Sequence, residues 1–205
     1  MDGTILDTIE DLTDSLNYCM EKFSYPLHSV SEMKTFVGNG MRMMVERAAP
    51  KDTAPEIKDK IYECFYDYYN DHCRIKTKPY EGIPSLLSEL RRKGVLTAVI
   101  SNKVDSAVAS LCNTVFKDCF DEYMGAMDNI PLKPERDMID RVLEKLKVDI
   151  KDAVYVGDSQ VDLQTGRNAG MDVIAVTWGF RSRDFLIKNG AKVLADDPLD
   201  LLELI

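Results

Sequence analysis

The sequence predicts an α/β protein: a Rossmann-like parallel sheet with helices on both faces, plus a helical bundle inserted near the N-terminus. Two observations carry that expectation. From about residue 94 onward, short β-branched runs alternate with helical patterns, as parallel strands joined by crossover helices require. Ahead of them, residues 9–77 repeat apolar positions at spacings of three and four and need no strand. The expected division is a core of residues 1–8 and 78–205 and a helical module of residues 9–77. Neither part contains an internal repeat or low-complexity tract.

The elements follow in order. Ile9, Leu12, Leu16, Cys19, Met20 and Phe23 make one apolar helical stripe, which Pro26 closes. Ser31 is placed to cap a short helix through Val37, Gly38-Asn39-Gly40 makes a turn, and Met41, Met44, Val45 and Ala48 mark the next helix. Pro55 opens a longer one along Ile57, Ile61, Cys64, Phe65, Tyr68 and Tyr69. Its tyrosine-rich end, CFYDYYNDHC, reads as module core with phenols at the surface. The strand candidates are GVLTAVIS (94–101), DAVYVGD (152–158), MDVIAVTWG (171–179) and, more weakly, AKVLADD (191–197). Helices are predicted over Val104–Leu111, Pro134–Leu146 and Val161–Ala169.

Composition narrows the function. With 45% apolar and 30% charged residues among 205, this is an ordinary globular composition with enough chain for a sizeable core. Thirty-five acidic against 26 basic residues give a net charge of −9, which argues against nucleic-acid binding through the overall field. A small anionic ligand is still admissible, because a local cation or a recruited Mg²⁺ suffices for it. No apolar run approaches the ~18 residues of a membrane span, and no signal-peptide pattern is present. The expected location is cytoplasmic, without a membrane partner, as a monomer or homodimer. Cys19, Cys64, Cys73, Cys112 and Cys119 form no C-x-x-C pair and read as reduced, mostly buried thiols. His72 and Cys73 lack the second pair that a metal site needs.

Ligands of open parallel sheets bind beyond the carboxyl ends of the strands. There the sequence places Ser101 and Asn102, then Lys133 before Pro134, then Asp158 with Asp162 four residues later at a helix start. Singly, each has a plain reading: turn chemistry for Ser101-Asn102, a solvated loop for Lys133, a helix cap for Asp158, and a simple turn for Asp2-Gly3-Thr4. Jointly they put a hydroxyl, a lysine and two carboxylates on one rim.

In this order the motifs strongly resemble the haloacid dehalogenase superfamily of phosphotransferases. That family's pattern is D-x-D-G-T-[LI]-x-D-[ST], then an apolar strand ending in Ser or Thr, then a lysine, then G-D-x-x-x-D. The matching residues are Asp2-Gly3-Thr4-Ile5-Leu6-Asp7-Thr8, Ser101-Asn102, Lys133-Pro134 and Gly157-Asp158-Ser159-Gln160-Val161-Asp162. TGRNAGM, VTWGFR, VGNG and PYEGIPSLL further resemble the phosphoglycolate-phosphatase branch. The resemblance implies a Mg²⁺-dependent phosphomonoester phosphatase acting on a small phosphorylated metabolite through an aspartyl-phosphate, with phosphoglycolate the best single substrate guess. It implies that Asp2 is the general acid/base and that Asp158 binds the metal directly, helped by the Asp2 backbone carbonyl, while Asp162 holds the metal's waters. Gly3, Ser101, Asn102 and Lys133 would bind the phosphoryl group. The helical module would be a cap closing over the substrate, with Thr8, Gly38, Asn39 and Gly40 toward it; for the glycine turn, a plain interhelical connection is an equal alternative. Pyrophosphatase, nucleotidase and sugar-phosphate phosphatase remain alternatives, as does a catalytically silent scaffold.

In the family pattern the nucleophilic aspartate lies two positions before Asp2, ahead of Met1. The expectation is therefore that strand and nucleophile belong to a longer parent protein and that these 205 residues alone are inactive. The strands ending at Ser101 and Asp158 would flank a gap, which splits the sheet or is filled by the first residues, a tag or another chain. A natural protein without the nucleophile is the alternative.

Overall fold

A computed structural model describes residues 1–205. The chain divides into two compact units, Asp7–Lys78 and Met1–Leu6 with Pro79–Ile205. It passes between them through two-residue strands, β1 (Leu6–Asp7) and, later, β2 (Lys78–Pro79).

The smaller unit is helical: α1 (Ile9–Lys22), α2 (Val30–Phe36), α3 (Met41–Ala48) and α4 (Pro55–His72). Ile9, Leu12, Leu16, Cys19 and Met20 of α1 are buried, as are Ile61, Phe65 and Tyr69 of α4, and the two helices pack on each other. The cap of α2 is Ser29, not the expected Ser31. Glu32 lies three residues after Ser29, so each side chain bonds the other's backbone N–H in a capping box, and Ser31 falls inside the first turn. Asn17 staples the following loop by bonding both the N–H and the carbonyl of His28.

Asp11 closes this unit on itself. Its buried carboxylate accepts the backbone N–H of Lys76 on both oxygens, at 3.0 Å each, and that of Thr77 at 2.8 Å. Asp11→Ala leaves those donors without their partner and is expected to lower stability by about 2–3 kcal/mol, read as a shift of the urea midpoint at unchanged slope.

The α/β unit runs α5 (Ile83–Arg92), β3 (Ala98–Val104), α6 (Asp105–Val115), β4 (Glu122–Ala126), α7 (Asp137–Leu146), β5 (Val154–Gly157), α8 (Gln160–Ala169), β6 (Asp172–Val176), α9 (Arg183–Lys188), β7 (Val193–Ala195) and α10 (Leu201–Leu204). Its parallel strands form two sheets, β3–β4 and β5–β6–β7, with no ladder between β3 and β5. Met1 and Leu6 are buried in one apolar cluster with Val99 of β3 and Ile174 of β6. The N–H groups of Thr4, Ile5 and Leu6 all turn back to the Met1 carbonyl.

Several boundaries differ from the sequence reading. Strands occur before residue 94, but β1 and β2 are too short for any alternation to register. The run expected to end at Ser101 begins at Ala98 and continues to Val104, with a register irregularity against β4 between Ile100 and Val104. Ser101 and Asn102 therefore lie within the strand. β4 was not expected, since EYMGA has neither β-branched residues nor clean alternation. α7 begins three residues after Pro134, because Asn102 holds the backbone of Lys133 in a loop. No helix is long and apolar enough to cross a membrane.

Candidate active site

The N-terminal turn, β3, the loop before α7, the β5–α8 junction and the loop after β6 bring the candidate residues of the α/β unit together. Asp2, Lys133, Asp158 and Asp162 all lie within electrostatic reach of the Met1 backbone nitrogen. Gly3 belongs there for steric reasons. Its φ is +79°, and a β-carbon built on it would sit 2.2 Å from an Asp158 carboxylate oxygen. Gly179 closes the opposite side, where a β-carbon would meet the Gly3 carbonyl at 2.3 Å.

Asp158 follows β5 and is buried. The Thr4 hydroxyl donates to its Oδ1 and the Phe180 N–H to its Oδ2, both at 2.9 Å. Burial, and then the neighbouring Asp162 charge, push its carboxyl up to about 6 against those two hydrogen bonds. Asp162 has a different environment. Ser159 caps α8 and shares a capping box with it, donating its hydroxyl to Asp162 Oδ2 at 2.6 Å. Lys133 Nζ reaches Oδ1 at 2.8 Å. Burial opposes ionisation here too, but the Lys133 ammonium, its hydrogen bond and Ser159 outweigh it and hold the carboxyl down to about 2.

Lys133 is held at both ends. Its backbone exchanges two hydrogen bonds with the Asn102 side chain, at 3.0 and 2.8 Å. Its ammonium donates to Asp162 and, at 3.2 Å, to the Tyr155 hydroxyl, which stands 3.2 Å from the same Asp162 oxygen. Burial alone would lower the lysine's pKa, yet Asp162 and Tyr155 hold it above the ordinary value. Burial raises the Tyr155 phenol, so it stays a neutral donor and acceptor.

Sequence reasoning missed Lys103. Its Nζ stands 3.3 Å from Asp2 Oδ1, with the lysine side chain 5% exposed. The Lys103 N–H donates to the buried Ser101 hydroxyl oxygen at 3.1 Å. The signal was available: residues two apart on a strand share a face, so Lys103 had to accompany Ser101 once the strand ran past it. Tyr155 was hidden in a valine run, and Thr4 and Phe180 act only through folding. The helical unit holds the remaining candidates. Thr8 stands at the N-terminus of α1, buried, its hydroxyl without a hydrogen-bond partner. Gly38 and Gly40 have φ of +128° and +84°, and Asn39 Oδ1 accepts from Arg47 at 2.7 Å.

A buried aspartate wrapped by two glycines, a lysine–aspartate pair behind it and parallel strands on either side define a hydrolase core of the phosphate-handling kind. The haloacid dehalogenase-like hydrolase family matches residues 1–176, and the chain belongs to that family as a haloacid dehalogenase-type phosphatase. It is 31% identical over 188 residues to a phosphoglycolate phosphatase of Psychrobacter arcticus, covering 87% of this chain and 81% of the relative. It is 27% identical over 208 residues to an N-acetylmuramic acid 6-phosphate phosphatase of Pseudomonas aeruginosa, covering 100% and 92%. Among solved structures, a candidate phosphoglycolate phosphatase from Lactobacillus delbrueckii subsp. bulgaricus superposes with a TM-score of 0.97 at 40% identity, over 100% of this chain and 95% of that one.

Mg²⁺ dependence is typical of this family. No group of three or more His, Cys, Asp or Glu side chains forms a cage here, but Mg²⁺ usually takes one or two carboxylates and completes its shell with water and substrate phosphate. The donor set fits that pattern. Asp158 is a buried carboxylate whose hydrogen-bond donors are both neutral, and the Asp2 backbone carbonyl would be the second oxygen; Asp162 has both oxygens engaged by protein donors.

Two expectations follow. Gly3→Ala forces a left-handed alanine into the Asp158 carboxylate and should cost about 2–3 kcal/mol of stability, measured by urea unfolding. Without metal, the two aspartates give stability opposite pH slopes. Native Asp158 holds its proton above the unfolded value, so stability falls as pH rises from about 4 to about 6. Asp162 stabilises above about 4, and that contribution is lost as pH drops toward about 2. Asp158→Asn should abolish the fall between pH 4 and 6. An unchanged pH profile would refute this assignment.

Proposed function

We propose that these residues belong to a Mg²⁺-dependent phosphomonoester phosphatase of the phosphoglycolate-phosphatase type, acting through an aspartyl-phosphate on the aspartate that the family pattern puts two positions before Asp2. The observation that carries this reading is the Lys133 ammonium, fixed by Asp162 and Tyr155 within one electrostatic cluster with Asp2 and Asp158. An ammonium has three donors, and two are engaged. The third serves a phosphoryl oxygen. The Ser101 hydroxyl accepts from the Lys103 N–H and is left with its own proton to donate to the same group. Asp2 carries the proton to the leaving alkoxide and then takes one from the attacking water, with Lys103 holding its carboxylate in place. When bound, Mg²⁺ supplies positive charge against the transferring phosphoryl oxygens.

Neither Asp2 nor Asp7 can occupy the in-line position of that aspartate, so a polypeptide of these 205 residues alone is expected to be inactive. The test compares it with a version extended upstream by the strand ending in Asp, assayed on p-nitrophenyl phosphate with Mg²⁺ and with EDTA. Turnover should appear only in the extended protein with Mg²⁺, and Lys133→Ala should lower its kcat by about 10²–10³-fold. Full metal-dependent turnover by the 205 residues would overturn the nucleophile assignment; silence in both proteins would favour the scaffold reading. The Pseudomonas relative supports a second substrate, a sugar phosphate. The ratio of kcat/KM for 2-phosphoglycolate and for a sugar 6-phosphate decides between them.

A further inference from the structure

We propose that Cys19 and Cys64 are a modification site: a dithiol that a peroxide converts reversibly into a disulfide joining α1 to α4. Both cysteines are free thiols, and their sulfurs stand 2.9 Å apart. A disulfide needs about 2.05 Å, so less than an ångström separates contact from bond.

The helices are fixed in this register by a second contact one residue away on α1 and one turn away on α4. There the Tyr18 and Tyr68 rings stack at 3.9 Å with 15° between their planes. The pairing has no competitor in the helical unit. Its third cysteine, Cys73, lies beyond the end of α4 and points its thiol at the Asn70 carbonyl.

The two sulfurs differ in access, which sets the order of events. Cys64 is partly exposed and Cys19 is fully buried. Burial, with the adjacent Cys64, raises the Cys19 thiol, so it does not meet the oxidant first. The Cys64 thiolate attacks the peroxide, breaking the O–O bond to give a sulfenic acid and hydroxide. The Cys19 sulfur then displaces the sulfenic hydroxyl, which leaves as water with the Cys19 proton, and the S–S bond forms. Two thiols have lost two electrons and the peroxide has gained them. The cross-link spans two helices far apart in sequence, so it removes loop freedom from the unfolded helical unit.

The test needs no turnover and is independent of the phosphatase reading. The full chain is reduced, desalted, exposed to hydrogen peroxide and mapped by mass spectrometry without reductant. The expected result is a cross-linked peptide pair containing Cys19 and Cys64, reversed by dithiothreitol, with a melting temperature raised by about 5 °C or more in the oxidised form. In Cys19→Ser the intermediate has no partner, and dimedone should label Cys64. Over-oxidation of Cys64 to sulfinic acid in the unaltered chain without a cross-link would overturn the proposal. So would two thiols that both remain alkylatable after peroxide has oxidised Cys119.

Discussion

The α/β unit depends on the buried Asp158 carboxylate. β3–β4 and β5–β6–β7 share no ladder, so backbone hydrogen bonds do not tie the two sheets together. Side chains take over that task. Asp158, just after β5, receives the hydroxyl of Thr4 from the N-terminal turn and the N–H of Phe180 from the loop after β6. Trp178 adds its indole N–H to the Thr4 carbonyl. Farther along, Asn102 of β3 grips the Lys133 backbone, and Lys133 bonds Asp162 of α8, which links β3 to the β5–α8 junction. Buried polar networks of this kind stabilise only when every member is satisfied. That requirement is why Gly3 and Gly179, which let the backbone approach Asp158, are as necessary as the polar groups themselves.

The same network separates two aspartates four residues apart. Asp162 has an ammonium, a phenol and a hydroxyl around it, and its charge is fully met. Burial and the neighbouring Asp162 charge outweigh the neutral donors of Asp158 and the nearby Met1 ammonium, so its ionised form is held at a cost. Their opposite pKa directions follow from partners rather than from depth, since both are buried. An unmet carboxylate beside a fixed lysine is suited to a cation; a met one is suited to holding that lysine still.

Much of this was legible in the sequence, and the failures have definite causes. The long amphipathic helices α1 and α4 were readable because many turns repeat one stripe. Two-residue β1 and β2 offer no period to read, and EYMGA in β4 lacks β-branched residues and clean alternation. Asp2, Gly3, Ser101, Asn102, Lys133, Asp158 and Asp162 could be named because their order along the chain matched a known pattern. Their partners could not. Thr4, Tyr155, Ser159 and Phe180 are ordinary residues until folding aims them, and Lys103 was lost by ending its strand three residues early. Ser29 is the converse case: its capping box with Glu32 is legible in the sequence from the serine-to-glutamate spacing of three.

Net charge, which argues against nucleic-acid binding through the overall field, says little about how an anion is held. The chain is acidic overall, yet its site contains two of its few buried ammonium groups, Lys103 against Asp2 and Lys133 against Asp162. Among side chains alone, two lysines face three carboxylates, and Asp158 is the one with no lysine against it. The local balance is therefore slightly negative and unsuited to a phosphate dianion. A divalent cation beside Asp158 reverses that sign without moving either lysine, whose positions are already fixed by their own carboxylates. In the proposed reading the lysines hold the acids in place, and a metal ion would meet the charge of Asp158.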